Sequence, residues 1–94
     1  MNNIAEEIES IYIGVKEISR YISAALFGFG KGEKIKLIAR GKNVKKAIDI
    51  LAILIRDYID EADYMITVDS EKFENRNIST IEIELAGKKK AKKE

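Results

Sequence analysis

Residues 33 to 59 change their hydrophobic period at a glycine, and few folds accommodate that change. Ahead of Gly41, the stretch "EKIKLIAR" alternates Lys34 and Lys36 with Ile35 and Leu37, the two-residue period of a half-buried strand. Past Gly41 the period lengthens. Val44, Ala47, Ile48, Leu51, Leu54, Ile55 and Tyr58 fall on one stripe of a helix running to about Ile59, with Asn43 as its expected N-cap. A strand that passes through a sharp turn into an amphipathic helix is half of an α/β unit.

The rest of the chain supplies the other half. "SIYIG" reads as a short strand with Ile11 and Ile13 on one side and Gly14 at its end. From Glu17 to Phe29 the apolar positions 18, 21, 22, 25 and 29 recur at helical spacing. "GFGKG" then interrupts the pattern, with Gly28 or Gly30 suited to a left-handed helix end. Residues 64–68 (YMITV) and 78–85 (ISTIEIEL) alternate as strands, joined through the turn chemistry of "ENRN". The order is β-α-β-α-β-β. A right-handed crossover then predicts an α/β two-layer sandwich, with a four-stranded mixed sheet and both helices on one face. The expected divisions are a frayed acidic segment over 1–9, a folded domain over 10–87 and a disordered lysine-rich tail over 88–94.

Composition narrows the chemistry. Ninety-four residues make one domain with a modest core, for which burial against a partner is an advantage. The longest apolar run, Ile50 to Ile55, is too short to span a membrane, and the N-terminus does not read as a signal peptide. The chain has no cysteine and no histidine, so thiolate chemistry and the commonest general base and zinc ligand are missing. Ser19, Ser23, Ser70 and Ser79 have no evident partner base. No enzyme activity, metal or cofactor is expected. "GFGKG" is not a phosphate loop either, because it follows a helix and precedes a strand, the reverse of the required order. Seventeen isoleucines, many Lys and Glu residues and no Gln suggest a thermophilic protein of the cytoplasm.

The formal net charge of +1 conceals strong segregation. Residues 31–46 hold seven basic side chains against Glu33, a local +6, while residues 57–74 hold seven acidic ones against Lys72, a local −6. The tail from Lys88 adds five lysines and one glutamate, +4. Arg40 ends a strand, Gly41 turns, and Lys42, Lys45 and Lys46 flank a helix start. There they oppose the helix dipole, where a purely structural sequence would favour Asp or Glu. Outward amides with long cations are expected to make a phosphate site, the alternative being a solvated loop in a lysine-rich thermophilic protein. Lys16, following the first strand, is expected on the same sheet edge, so the two turns form one basic rim, with the acidic block facing away.

Two further features point to partners. Ile50 and Ile53 fall outside the sheet-facing stripe, so the second helix is expected to bury a second face in a dimer, the alternative being two isolated surface isoleucines. Tyr64, Ile66 and Val68 are inward by parity, whereas Phe73 is not. Either a bulge shifts the phase, or Phe73 sits with Lys72 and Arg76 on an arm that can enter a groove.

"IYIGVK", "KLIARGKNVKKAID" and "ISTIEIEL", in this order and spacing, resemble the Alba family of archaeal chromatin proteins. The likeness covers about residues 10–87. It implies a fold like the C-terminal domain of a translation initiation factor. It also implies a homodimer or heterodimer that binds DNA and RNA with little sequence preference and organises chromatin or RNA at the nucleoid. In the family the helix-start turns grip phosphates and the hairpin arms reach toward the minor groove. The resemblance implies that Tyr58 occupies an aromatic position linked to dimer–dimer contact.

Departures are visible. The usual Gly-Lys-Lys-Pro is Gly14-Val15-Lys16-Glu17, so the lysine associated with regulatory acetylation is missing. Lys42, Asn43 and Lys45 stand where Arg, Ala and Ser are usual, and the arm is shorter and more acidic. Residues 1–87 carry 12 basic and 15 acidic side chains (17 − 5 and 16 − 1), net −3. Duplex binding is therefore expected to be weaker, or shifted to RNA or to a mixed dimer with a more basic relative. The alternative is a structural dimerisation subunit of a chromatin fibre or ribonucleoprotein with little direct nucleic-acid contact.

Overall fold

The computed structural model describes residues 8–32 and 34–90. The elements are β1 (Glu9–Tyr12), α1 (Ile18–Lys31), β2 (Lys34–Arg40), α2 (Val44–Ile53), β3 (Ile59–Phe73) and β4 (Arg76–Lys89), in the expected order. The sheet runs β1-β2-β4-β3, with β1 and β2 parallel and β4 antiparallel to both β2 and β3. The fold is the four-stranded mixed sheet with two helices that the periodicity implied.

One face of the sheet makes the core. Ile11 and Ile13, Ile35, Leu37 and Ala39, and Ile81, Ile83 and Leu85 are all buried, alternating with exposed or half-buried neighbours. Tyr21, Ile22, Ala25 and Phe29 of α1 cover β1 and β2, with Ile18 packed at the rim of the cluster. From α2, Ala47, Ile50 and Leu51 cover β2 and β4, and Leu54, in the turn that follows, joins the same cluster. Among the described residues no charged or polar side chain is buried, so the core is held by apolar burial at about 25 cal/mol per Å2.

Three local expectations are corrected. First, α1 runs through Gly28 and Gly30 to Lys31 without a left-handed end. Gly28 is small for packing: a Cβ there would lie 2.9 Å from Ile35 Cγ2 and 3.2 Å from Glu9 Cγ. Second, Asn43 makes no side-chain cap; the entry to α2 is a 3-10 turn over Gly41–Asn43, opened by Gly41 at φ 61°. Third, β4 continues through Lys88 and Lys89, and the Lys90 N–H donates to the Tyr58 carbonyl at 2.8 Å. Lys88–Lys90 therefore do not form a disordered tail, and residues 91–94 lie outside the described residues. Likewise Glu9, assigned to the N-terminal segment, is the first residue of β1; residues 1–7 lie outside the described residues.

The phase of α2 also differs. At 3.6 residues per turn the buried stripe is rotated roughly 50° from the expected one. Ile50 is fully buried, while Ile48 is 45% exposed. The expected stripe is centred on Leu51; the real one lies between Ile50, Leu51 and Leu54, which share one core cluster with Ile81 and Ile83 of β4. The helix then leaves through a π-helical turn, Leu54–Tyr58.

β3 and β4 pair continuously from Asp63 to the hairpin, which closes at Glu74 and Asn75 with φ of 50° and 67°. Two successive positive φ values mark the turn type that matches strand twist. The register shift lies elsewhere, between Asp60 and Asp63, where Glu61 takes φ 55°. Opposite this bulge sits Gly87 at φ 156°, where a Cβ would come 2.5 Å from Ile59 Cγ2 and 2.9 Å from the Asp60 carbonyl oxygen. Gly87→Ala is expected to cost about 2–4 kcal/mol through combined strain and overpacking. Thermal melting checks this, with an expected drop of at least about 8 °C; an unchanged midpoint would mean the bulge is misplaced.

Candidate nucleic-acid interface

Strand polarity gathers three features at one end of the sheet. β1 and β2 are parallel, with Tyr12 opposite Ile38, and the Ile13 N–H extends the pairing to the Ile38 carbonyl at 2.8 Å. The turn after β1 and the turn after β2 therefore leave the sheet side by side. β4 opposes β2 with Thr80 against Arg40, so residues 70–79 of the hairpin project past this same end. Lys34 opposite Ala86 marks the other end, where Lys88–Lys90 lie.

The seven expected cations occupy this end but differ in state. Lys16 and Lys42 are exposed, and their side chains make no ion pair or hydrogen bond among the described residues. Arg40, on the sheet face away from the helices, donates from Nη2 to Glu71 Oε1 at 2.9 Å, with both side chains more than half exposed. Lys45 pairs with Asp49 one helical turn on, at 2.9 Å. Lys46 is half-buried and turned inward: its Nζ donates to the carbonyls of Gly14 at 2.6 Å and Lys16 at 2.9 Å. Lys72 and Arg76 flank the hairpin tip, on opposite faces of the arm, and Arg76 pairs across the strands with Phe73.

The structure thus decides between the two readings of Phe73. Register is unbroken from Asp63 to Phe73, so Phe73 lies on the face opposite Tyr64, Ile66 and Val68, on a projecting arm. The acidic block does not face away as a unit. Asp57, Asp60, Glu61 and Asp63 sit at or near the far end, where Lys88 lies 3.8 Å from Glu61 and Lys90 lies 3.6 Å from Asp60. The Arg56 guanidinium, hydrogen-bonded to Asp57, holds that carboxyl below its usual range. Asp69, Glu71 and Glu74 instead ride on the arm, and Glu71 reaches the rim itself. Sequence spacing could not find this contact, because it joins residues 31 apart through two strand registers. An open depression of about 430 Å3 lies away from the rim, lined by Lys34, Asp63, Tyr64, Met65, Glu84 and Ala86.

The expected dimer residues are redistributed. Ile50 is in the chain's own core, out of reach of a partner. Ile53 is half-buried against that core on the flank of α2 that carries Lys46, and Lys46 bonds to the β1–α1 turn; this flank faces α1. Tyr58 remains 40% exposed. The opposite flank carries Ile48 and, one heptad on, half-buried Ile55, and it looks toward β3. Among the described residues neither α1 nor α2 packs substantially on β3, and Tyr64, Ile66 and Val68, which point to the helix side, stay exposed. Together they leave an apolar valley between α2 and the β3 edge.

The chain is thus a two-layer α/β domain with paired basic turns and a projecting hairpin at one end. The family model for Alba matches residues 9–68. The DNA/RNA-binding protein Alba of Thermoplasma volcanium is 35% identical over 89 residues, covering 88% of this chain and 99% of its own. That of Nitrosopumilus maritimus is 30% identical over 88 residues, covering 85% and 92%. The solved Alba of Thermoplasma volcanium superposes with a TM-score of 0.75 at 33% identity, covering 83% of this chain and 99% of that one. An Alba protein of Trypanosoma brucei shares the fold at 14% identity, with a TM-score of 0.73 over 88% of this chain and 72% of its own. The chain belongs to the Alba family.

The helix phase has a direct test. Ile50→Ala is expected to destabilise the fold by about 2–5 kcal/mol, as deletion of a buried aliphatic side chain does. A wild-type unfolding midpoint in chemical denaturation would return Ile50 to the surface.

Proposed function

We propose that this protein binds DNA or RNA through phosphate contacts, largely without regard to base sequence, at the end of the sheet where the two turns and the arm converge. The observation that carries the reading is the pair Lys16 and Lys42, exposed and unpaired among the described residues on adjacent turns. The relatives bearing the name DNA/RNA-binding protein Alba support it. Arg40, Lys72 and Arg76 extend the basic surface along the arm, and Lys45 lies at its margin. The function is one of binding and organising nucleic acid in the cytoplasm, at the nucleoid, with no catalytic step.

The binding unit is a dimer, with itself or with a related chain. The apolar valley of Ile48, Ile55, Tyr64, Ile66 and Val68 supports this, since a core this small leaves it facing water. Two copies joined there carry two rims and two arms. The acidic arm favours the second reading, a dimerisation subunit with little nucleic-acid contact. Gel-shift titration of duplex DNA and structured RNA separates the two readings.

Each phosphate contact steepens the fall of log K with log salt by roughly 0.9 on duplex DNA. Lys42→Ala is expected to weaken binding alike on unrelated sequences and to reduce the slope by about 0.9 per protomer. Glu71→Gln, which frees Arg40, is expected to steepen it. A Lys42→Ala variant that melts normally and keeps the wild-type slope would leave this edge without its assigned role.

Dimerisation is tested separately. Ile48→Glu places a charge in the valley while leaving the exposed side of the monomer tolerant of it. An unpaired charge buried in the contact costs about 3–5 kcal/mol, so sedimentation equilibrium should register a shift to monomer. An intact dimer in this variant would remove the valley from the interface.

A further inference from the structure

We infer that Lys46 and Tyr21 together form a tie that shapes the turn after β1, and that Lys46 is a positioning residue for nucleic-acid binding instead of a phosphate contact. The inference rests on the functional reading above for its effect on binding, but the tie itself is a property of the free protein.

Residues 13–17 lie outside the regular elements, so their backbone groups need partners from elsewhere. Two side chains supply them. The Tyr21 hydroxyl accepts the N–H of Gly14 at 2.8 Å and the N–H of Lys16 at 3.0 Å. Lys46 Nζ donates to the carbonyls of the same two residues, at 2.6 and 2.9 Å. All four backbone polar groups of Gly14 and Lys16 are thereby engaged. The ammonium also lies 5.7 Å from the Tyr21 ring centroid, within the range where a cation is attracted to the ring face.

This geometry has two consequences for binding. An ammonium has three donors, and two of those of Lys46 are held by carbonyls inside the turn; the group is half-buried there. The amides of Gly14 and Lys16 are held by the phenol and are not free to receive a phosphate. What the turn presents outward is the Lys16 side chain. Lys46 also belongs to the first turn of α2, directly after the Gly41–Asn43 turn that carries Lys42. The tie therefore sets the separation of the two unpaired cations, so that both meet one phosphate backbone without ordering the turn at the moment of contact. Pre-ordering of this kind raises affinity by lowering the cost of binding.

Tyr21→Phe removes the hydroxyl and no charge, and Lys46→Met removes the ammonium; each is made in the wild type and in Lys16→Ala. In the free protein, hydrogen exchange at the Gly14 and Lys16 amides is expected to accelerate in both variants. Binding to a short mixed-sequence DNA duplex and to an RNA hairpin, at fixed salt, is expected to weaken by about 3- to 10-fold, the scale of one hydrogen bond. In the Lys16→Ala background the same substitutions should have little further effect. Unchanged exchange rates would overturn the tie. A loss that adds fully to that of Lys16→Ala would overturn the positioning role, because Lys46 would then touch phosphate itself. A wild type that binds neither probe overturns the functional reading and the binding role with it, while the exchange rates still decide the tie.

Discussion

The parallel pairing of β1 with β2 is the constraint from which the proposed nucleic-acid-binding end of this molecule follows. Parallel neighbours finish on the same side, so the turns carrying Lys16 and Lys42 are adjacent whatever the loops contain. The antiparallel register of β4, with Thr80 facing Arg40, then sends the hairpin out beyond that same end and returns Lys88–Lys90 to the other. Apolar burial holds this register. A slip by one residue would turn Ile81, Ile83 and Leu85 away from the helices.

Within that frame the segregated charges of the sequence are largely re-paired. Lys88 and Lys90 meet Glu61 and Asp60 at the far end, Lys36 meets Glu82 on the open face at 3.2 Å, and Arg40 meets Glu71 near the rim. Exposed pairs of this kind contribute about 0–1 kcal/mol each, so they matter less for stability than for where unpaired charge is left. Lys16, Lys42, Lys72 and Arg76 are cations left unpaired among the described residues at the arm end. A net −3 over residues 1–87 is thus compatible with a basic edge at the proposed binding end, since much of the acid is opposed at the other end.

Period and turn chemistry carried most of the fold. The alternation before Gly41, the stripe of α1 and the hairpin at "ENRN" all correspond to observed elements. Misreadings arose where tertiary contact decides the outcome. Gly28 looked like a stop signal but is a close approach between α1 and β2, which no local pattern reveals. Ile50 looked like an outward residue because a 3.6 period fixes the width of an apolar stripe better than its phase when isoleucines lie nearly all round the helix. At the candidate site, the basic turns were legible from residue type. The inward use of Lys46 was not, because its partners are backbone carbonyls about 30 residues away that sequence does not advertise. The uncovered inner face of β3 was likewise hidden: Tyr64, Ile66 and Val68 have the right parity for a core, and only the placement of α2 leaves them bare.

Nucleic acid is proposed to meet the end of the sheet where the two turns and the arm converge. Amide chemical-shift mapping during titration with duplex DNA and with an RNA hairpin tests it most directly. Binding at that end is expected to give the largest changes at residues 14–17, 41–44 and 71–78, with residues 59–63 and 86–90 little affected. Changes concentrated at the bulge and the C-terminal end of β4, with the two turns silent, would contradict it.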